Sequence, residues 1–208
     1  IENKNSLIIS FIISVALTFF MIKNLTTDLL LFTILISAAF FLFFSTLKEL
    51  FFKKIDNISQ VVAHLGFSLL ILSILFNNIF STEIITNMKI GETFENKNFK
   101  INFIKIDKKD EQNFKAIIGN FNVENLNGNI ETLRPELRIY NQPNIMTSEA
   151  DIKTNLLKDQ FMTMNLVQSQ DYFNIRYQNK PFMVWIWLSV LLITFGALIS
   201  LFRKKHEN

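Results

Sequence analysis

Apolar residues are concentrated at the two ends of the chain, and polar residues fill its middle. Four long apolar segments run from about Leu7 to Ile22, Leu29 to Leu47, Val61 to Phe80 and Pro181 to Phe202. None of them carries Lys, Arg, Asp or Glu in its interior. A helix needs roughly 20 apolar residues to cross the hydrocarbon of a bilayer. The pattern therefore predicts four transmembrane helices.

The middle of the chain has the alternation of apolar and polar residues that is typical of half-buried strands. Phe99–Ile106 has a period of two, and the charged segment Lys108–Gln112 is expected to form a turn. Asn127-Gly128 is a tight-turn signal, and Pro135 is expected at a strand edge or bulge because it cannot donate to a ladder. Further strands are predicted at Phe114–Ile118, Phe121–Leu126, Glu131–Tyr140, Met162–Val167 and Tyr172–Tyr177.

Together these patterns predict a membrane α-helical bundle with an inserted, extracytoplasmic all-β domain, either a small barrel or a sandwich. Residues 1–58 would hold two transmembrane helices and a cytoplasmic loop, and residues 59–81 the third helix. Residues 82–180 would form the β domain. Residues 181–208 would form the fourth helix and a basic cytoplasmic tail.

The orientation follows from Lys and Arg in the short segments that flank the helices, because cytoplasmic loops are enriched in these residues. The loop after the second helix and the C-terminal tail are both basic, so both are expected in the cytoplasm, together with the N-terminus. The short first loop, Lys23–Asp28, and the β domain would then lie outside. The basic residues concerned are Lys4, Lys48, Lys53, Lys54, Arg203, Lys204 and Lys205.

Composition excludes several functions and leaves one histidine of interest. The 208 residues carry a net charge of +3 without a basic stripe, so nucleic-acid binding is not expected. Cys is absent, which excludes thiol chemistry by this polypeptide. The predicted β domain contains no His, so neither a Ser-His-Asp triad nor a metal-ligand cluster is expected there. Of the two histidines, His206 is expected in solvent in the tail.

His64 lies inside the third apolar segment, where an ionisable side chain is costly and is by default a functional hypothesis. Neutral imidazole is an axial ligand for haem iron. Gln60, one turn earlier, could accept from Nδ1–H and leave Nε2 free for iron. Ala63, Gly66 and Ser68 leave room for a flat macrocycle or for a close helix. A purely structural role, in which His64 packs helices, stays open on this reasoning.

Two features near the ends of the chain also carry expectations. Pro181 is expected in the first turn of the fourth helix, where its missing donor is tolerated. Trp185 and Trp187 are expected to anchor that helix at the membrane interface. The first residue is Ile1 rather than Met, so the chain is expected to be trimmed or part of a longer protein. The first apolar segment is too long for a signal peptide and lacks a small-residue cleavage site.

Three stretches, in this order, resemble the C-terminal part of the CcmF family of cytochrome c biogenesis proteins. The first is Val62–Gly66, which contains His64. The second is Arg134–Tyr140, followed by Thr147–Ala150. The third comprises Ile175-Arg-Tyr177, then Pro181–Trp187 and Gly196.

This resemblance implies a role in delivering haem to apocytochrome c and attaching it covalently, as part of a membrane haem lyase complex that is not active from this chain alone. It implies that His64 is an axial ligand of a b-type haem (haem b). The second ligand would come from another chain or from an upstream portion of CcmF. Further partners would be CcmH-like and CcmE-like haem-delivery proteins and apocytochrome c. The location would be the bacterial or mitochondrial inner membrane.

Two other interpretations remain. The chain could be a non-catalytic membrane scaffold or assembly subunit that binds partner proteins without haem. A transporter fragment is disfavoured because no internal repeat or broken helix is visible. Arg134, Arg138 and Glu149 could contact a partner or haem propionates, or form an ion-pair network that braces the β domain.

Overall fold

The computed structural model describes residues 4–22, 29–52, 57–125, 128–167 and 171–206. It divides into two compact units. One unit comprises Ile1–Phe80 together with Pro181–Asn208, and the other comprises Ser81–Lys180. The first is helical and the second is built from strands.

The described part of the helical unit contains four helices, α1 (Lys4–Ile22), α2 (Leu29–Phe52), α3 (Ile58–Phe80) and α4 (Met183–His206). Contacts link α1 to α2, α2 to α3 and α3 to α4. Three of the helices are long and apolar enough to cross a membrane, with spans at Leu31–Phe51, Ile58–Phe80 and Met183–Phe202. The apolar stretch of α1, Leu7–Phe20, is shorter. Three of the four predicted segments thus form helices capable of crossing a membrane, and the crossing by the first segment stays a prediction.

The expectation that Pro181 opens the last helix is wrong. Pro181 ends a strand, and α4 begins at Met183. Between them Phe182 has a φ of 61°, a left-handed conformation that is rare for a bulky residue. The carbonyl of Phe182 accepts from the backbone N–H groups of Trp185 and Ile186 at 3.1 and 3.2 Å. The backbone reversal at Phe182, rather than the proline ring, therefore starts the helix.

Within its described residues, the β unit has ten strands arranged in two sheets. The first sheet has the order β1-β10-β9-β8, and the second has the order β2-β3-β4-β6-β7, with β5 paired to β4. The strands are β1 (Thr82–Met88), β2 (Thr93–Glu95), β3 (Phe99–Asp110), β4 (Phe114–Asn125), β5 (Ile130–Leu133), β6 (Glu136–Tyr140), β7 (Met146–Glu149), β8 (Asp151–Thr154), β9 (Lys158–Leu166) and β10 (Phe173–Pro181).

Side chains from both sheets meet in one hydrophobic core, which is the arrangement of a β-sandwich or half-barrel. Phe103 of β3 and Phe121 of β4 stack with their ring centroids 4.2 Å apart. Phe99 of β3 meets Tyr177 of β10 edge to face at 4.9 Å, across the two sheets. Residues two apart along β3 and β9 are buried together, as the period of two requires.

Several predicted strand limits need correction. The segment Lys108–Gln112 was expected to be a turn, but its first three residues belong to β3. The turn begins only at residue 111. The two strands predicted on either side of Gly119 are one strand, β4. Position 119 has no space for a side chain, because a Cβ there would lie 2.5 Å from the Phe121 ring and 2.8 Å from the sulfur of Met164. Isolated Gly is thus a packing requirement here rather than a break in the strand.

The segment 131–140 is two strands rather than one. Pro135 separates β5 from β6, and its carbonyl accepts from Gly119 N–H at 3.0 Å. Its expected place at a strand edge is therefore confirmed. In the predicted turn Asn127-Gly128, Gly128 has a φ of 74° and donates to the Asn125 carbonyl. Asn127 and the loop Lys23–Asp28 lie outside the described residues.

Candidate functional site

His64 lies on a face of α3 that neither α2 nor α4 covers in this chain. Gln60, Phe67, Ile74 and Asn78 are exposed on the same face. These positions recur at intervals of three, four or seven, which places them along one side of a helix. His64 is six residues from the start of α3 at Ile58, or about 9 Å along the axis. The uncovered face is apolar in its middle and polar near both ends.

The small residues of α3 face away from this surface and pack against α4. A Cβ on Gly66 would lie 2.9 Å from the backbone nitrogen of Ile193. A Cβ on Gly196 would lie 2.8 Å from the backbone nitrogen of Ala63 and 2.9 Å from the Ser59 carbonyl. Close backbone approach of this kind is how small residues join membrane helices. Ala63 and Gly66 were expected to leave room either for a flat macrocycle or for a close helix. In the structure the space beside them is occupied by α4.

The hydrogen bond expected between Gln60 and His64 is not formed in the structure. Both side chains are exposed, and neither has a hydrogen-bond partner among the residues that the structure describes. A spacing of four on a helix nevertheless brings them onto one side, where the amide can reach the imidazole after a rotamer change. The His64 imidazole therefore points outward, and no hydrogen bond to a described residue accounts for its position on this face.

A separate cavity of about 330 Å³ lies in the helical unit between α2, α3 and α4. On α3 its lining begins at Leu69, about 7 Å along the axis from His64. Its walls are largely aromatic, and His64 is not among them. The lining residues are Phe40, Phe43, Leu69, Leu72, Ser73, Phe76, Phe182 and Trp185.

The cavity also separates the two tryptophans that the sequence analysis grouped together. Trp185 lines it beside Phe182, whereas the Trp187 side chain is exposed on the outside of α4. An exposed indole on a membrane-crossing helix suits an interfacial anchor. The anchoring role therefore remains an expectation for Trp187, while Trp185 contributes to packing inside the helical unit.

The charged residues that could have contacted a ligand are engaged within the β unit. Arg138 donates to Glu136 at 2.9 Å, and its guanidinium lies 4.9 Å from the centre of the Phe114 ring. The hydrogen bond with Glu136 raises the pKa of Arg138 further above its ordinary value. Glu149 accepts from the Thr147 hydroxyl at 3.0 Å.

Arg134, between β5 and β6, takes part in a second group of charges with two residues of β3. Its guanidinium is 3.5 Å from the carboxylate of Asp107, which also lies 2.9 Å from the ammonium of Lys105. Hydrogen bonds from Lys105 and then from Asn120 hold the pKa of Asp107 below its ordinary value. These contacts support the interpretation in which Arg134 and Arg138 belong to ion pairs that brace the β domain.

No group of three or more His, Cys, Asp or Glu side chains capable of holding a metal ion occurs among the described residues. His64 is a single imidazole on an uncovered face, so it could supply at most one donor to a bound group. The walls of a haem pocket and a second donor are not formed by the part of the chain that the structure describes. The side chain of His206 lies outside the described side chains.

Comparison with known proteins identifies the relationship. A family described as the CcmF C-terminal beta-sandwich matches residues 79–181, which cover the whole β unit. The chain belongs to the CcmF family, as its C-terminal part. Cytochrome c-type biogenesis protein ccl1 of Rhodobacter capsulatus is 30% identical over 120 residues, covering 58% of this chain and 18% of that protein.

Other CcmF-family proteins extend the match further along the chain. Cytochrome c-type biogenesis protein CcmF of Escherichia coli is 27% identical over 150 residues, covering 72% of this chain and 23% of that protein. The solved structure of cytochrome c haem lyase CcmF matches with a TM-score of 0.66 at 17% identity, covering 92% of this chain and 33% of the other. The chain thus spans a minor part of the length of the CcmF-family proteins that it matches.

The spacing of residues 60, 64, 67, 74 and 78 places them on one side of α3, but the sequence does not mark that side as uncovered. Every residue of α3 is apolar or small apart from a few amides, serines and His64, so periodicity alone could not tell which side α4 would cover. The aromatic cavity was equally hidden, because its lining comes from three helices.

Proposed function

We propose that this chain acts in cytochrome c maturation as the C-terminal part of a membrane haem lyase, with His64 as an axial ligand of a b-type haem. The observation that carries the proposal is an imidazole at membrane depth on a face of α3 left uncovered in this chain, without a hydrogen-bond partner among the described residues. Leaving such a group against lipid is costly. Coordination of iron would satisfy it.

The residues of this chain would have distinct roles. His64 would supply one donor nitrogen, and Gln60 would accept from the other ring nitrogen and so fix the tautomer. Phe67 would provide an apolar wall on the same face. Ala63 and Gly66 would hold α3 against α4 and so fix the direction in which His64 points. A bound haem would supply reversible one-electron chemistry.

The second axial donor and the rest of the pocket would come from an upstream portion of CcmF, as a fused segment or a separate subunit. His64 and this second donor would hold the haem, which would supply one-electron chemistry for the handling of incoming haem. CcmH-like and CcmE-like proteins would present the apocytochrome and the haem. The β unit would offer a docking surface for these partners. The membrane would be the bacterial or mitochondrial inner membrane, with the β unit on the non-cytoplasmic side.

An absorbance experiment tests the haem proposal. The chain would be purified from membranes together with its upstream partner, and a reduced-minus-oxidised spectrum recorded. We expect a b-type band that disappears in His64→Gly and returns when imidazole is added, because free imidazole can replace the missing donor. Asn78→Ala is the matched control, since Asn78 is an exposed polar residue at the far end of the same face.

The second candidate function is a scaffold that binds partner proteins without haem. The ion pairs of Arg134 and Arg138 within the β unit favour the scaffold. Both guanidinium groups already have carboxylate partners, and such pairs make the domain more rigid. The same spectrum separates the two functions. An unchanged band in His64→Gly removes His64 from the haem site, and the absence of any b-type band in the complete complex favours the scaffold.

A further inference from the structure

The hairpin between β8 and β9 presents two leucines at its tip. Leu156 and Leu157 are the two residues of the turn, and their side chains are 66% and 68% exposed. The backbone N–H of Asn155 donates to the Lys158 carbonyl at 3.0 Å, which closes a two-residue hairpin. Two adjacent leucines at such a site form an apolar projection, referred to below as the leucine tip.

The chemistry of this turn does not explain the leucines. Two-residue hairpins favour Asn-Gly and similar pairs, because the preferred turns require positive φ angles. Among the described non-glycine residues only Phe182 has a positive φ, so Leu156 and Leu157 hold the less favoured turn. The side-chain oxygen of Asn155 compensates by accepting from the backbone N–H groups of Leu157 and Lys158, both at 2.9 Å. The tip is therefore ordered, although its residues are poor turn formers.

The leucine tip lies at the end of the sandwich where the chain is joined to its helices. Thr82 at the start of β1 pairs with Asn179 near the end of β10, so both connections leave from this end. Val167 N–H donates to the Tyr172 carbonyl, which places the end of β9 beside the start of β10. The start of β9, and with it the leucine tip, is consequently at the same end as both connections.

A third apolar side chain and a basic residue occur close to the leucine tip. Lys158 at the base of the hairpin is 3.4 Å from the carboxylate of Glu131 in β5. The residue before Glu131 is Ile130, whose side chain is 60% exposed. Lys153, on β8, is exposed on the same hairpin. Lysine beside projecting apolar residues is the arrangement in which the apolar part enters lipid and the ammonium stays at the headgroups.

We propose that the leucine tip inserts into the boundary between headgroups and acyl chains of the leaflet from which α3 and α4 emerge. Both helices are long and apolar enough to cross a membrane, and each joins the β unit within two residues of its end. The insertion anchors the sandwich at a third point in addition to its two covalent connections. It does not depend on which side of the membrane the β unit occupies.

The composition of the tip favours lipid over a protein partner. Energetically dominant positions in protein interfaces are enriched in Trp, Tyr and Arg, and Leu is under-represented there. The tip has none of the three enriched residues and consists of two leucines, and the exposed Lys153 lies on the same hairpin. An apolar tip flanked by Lys matches phospholipid, whose phosphate groups attract the ammonium.

Depth-dependent quenching tests the proposal, and the natural absence of cysteine makes labelling specific. The full chain carrying Leu157→Cys would be labelled with an environment-sensitive fluorophore. It would then be reconstituted into vesicles of phosphatidylcholine and phosphatidylglycerol that contain lipids with a nitroxide on the acyl chain. The matched control is Ile90→Cys, because Ile90 is an exposed apolar turn residue beyond the opposite end of β1.

We expect the label at position 157 to be quenched at least about twofold more than the label at position 90, since the control lies about 30 Å farther along the strands. Leu156→Cys should behave as Leu157→Cys does, and far-ultraviolet circular dichroism would verify that both retain the β unit. Equal quenching at positions 157 and 90 would overturn the proposal. Shielding from water without quenching by the lipid nitroxide would also overturn it, in favour of a protein contact.

Discussion

At the residue scale, neighbouring positions on α3 have different structural roles. Ala63 and Gly66 lie against the backbone of α4, where a larger side chain would collide, whereas His64 points to the uncovered face. A helix rotates by about 100° per residue, so adjacent residues necessarily face different directions. Substitution of His64 should therefore affect ligand binding, and substitution of Gly66 should affect helix packing.

Tyr177 of β10 is a single residue whose burial makes a measurable prediction. Its side chain is 1% exposed, and in the favoured orientation of the Gln160 amide its hydroxyl is 3.3 Å from the Gln160 oxygen. Burial, and then the negative charge of Glu131, raises the pKa of Tyr177 above its ordinary value of 10.0. Above that pH the unfolded chain loses the phenolic proton and the folded chain keeps it, so folding stability should fall.

We expect the free energy of unfolding of the β unit to decrease by up to about 1.4 kcal/mol per pH unit above pH 10 through this group. Tyr177→Phe should remove this contribution, and Tyr172→Phe should leave it in place. Urea unfolding of the full chain in detergent, followed by circular dichroism between pH 9 and 11, measures the slope. The same alkaline slope in the parent chain and in Tyr177→Phe would contradict the prediction.

At the element scale, the helical unit depends on close packing between α3 and α4. Gly196 allows the backbones to approach, because a Cβ at this position would lie within 3 Å of Ala63 and Ser59. The adjacent Ala197 is exposed on the outside of α4. These two positions provide a test in which a large side chain is added to the packed side or to the outer side of the same helix.

We expect Gly196→Leu to destabilise the helical unit by about 1–3 kcal/mol, because overpacking forces the backbones apart. Ala197→Leu should have little effect. Thermal unfolding of the full chain in detergent, monitored by the fluorescence of Trp185 and Trp187, would register the difference as a lower midpoint for Gly196→Leu. Equal midpoints for the two variants would show that the close approach is not required.

At the scale of the whole molecule, the positions of Lys and Arg predict one orientation, and the chain contains no Cys to interfere with its measurement. We expect Asn98→Cys, exposed in the β unit, to react with a membrane-impermeant maleimide added from the non-cytoplasmic side of intact membranes. Lys54→Cys, in the basic loop after α2, should react only after the membrane is opened. Reactivity in the opposite order would reverse the proposed topology and place the β unit in the cytoplasm.

The sequence by itself determined the elements whose signal is local. Long uncharged apolar runs predicted the helices, and the period of two from Phe99 onward predicted the start of β3, because both patterns reflect burial on known faces. Membership of the CcmF family also followed from ordered motifs that need no coordinates. His64 was recognised as unusual for the same reason, since its residue type conflicts with its surroundings.

Only the tertiary structure decided which faces and strands come together. Gly119 resembles a break in the sequence, yet it continues β4, because the Phe121 ring and the Met164 sulfur occupy the space of its missing side chain. The uncovered face of His64 depends on where α4 packs. The aromatic cavity likewise needs α4, which the whole β unit separates from α2 and α3 in the sequence. Contacts between distant segments are set by the packing of the whole chain, and local pattern carries no record of them.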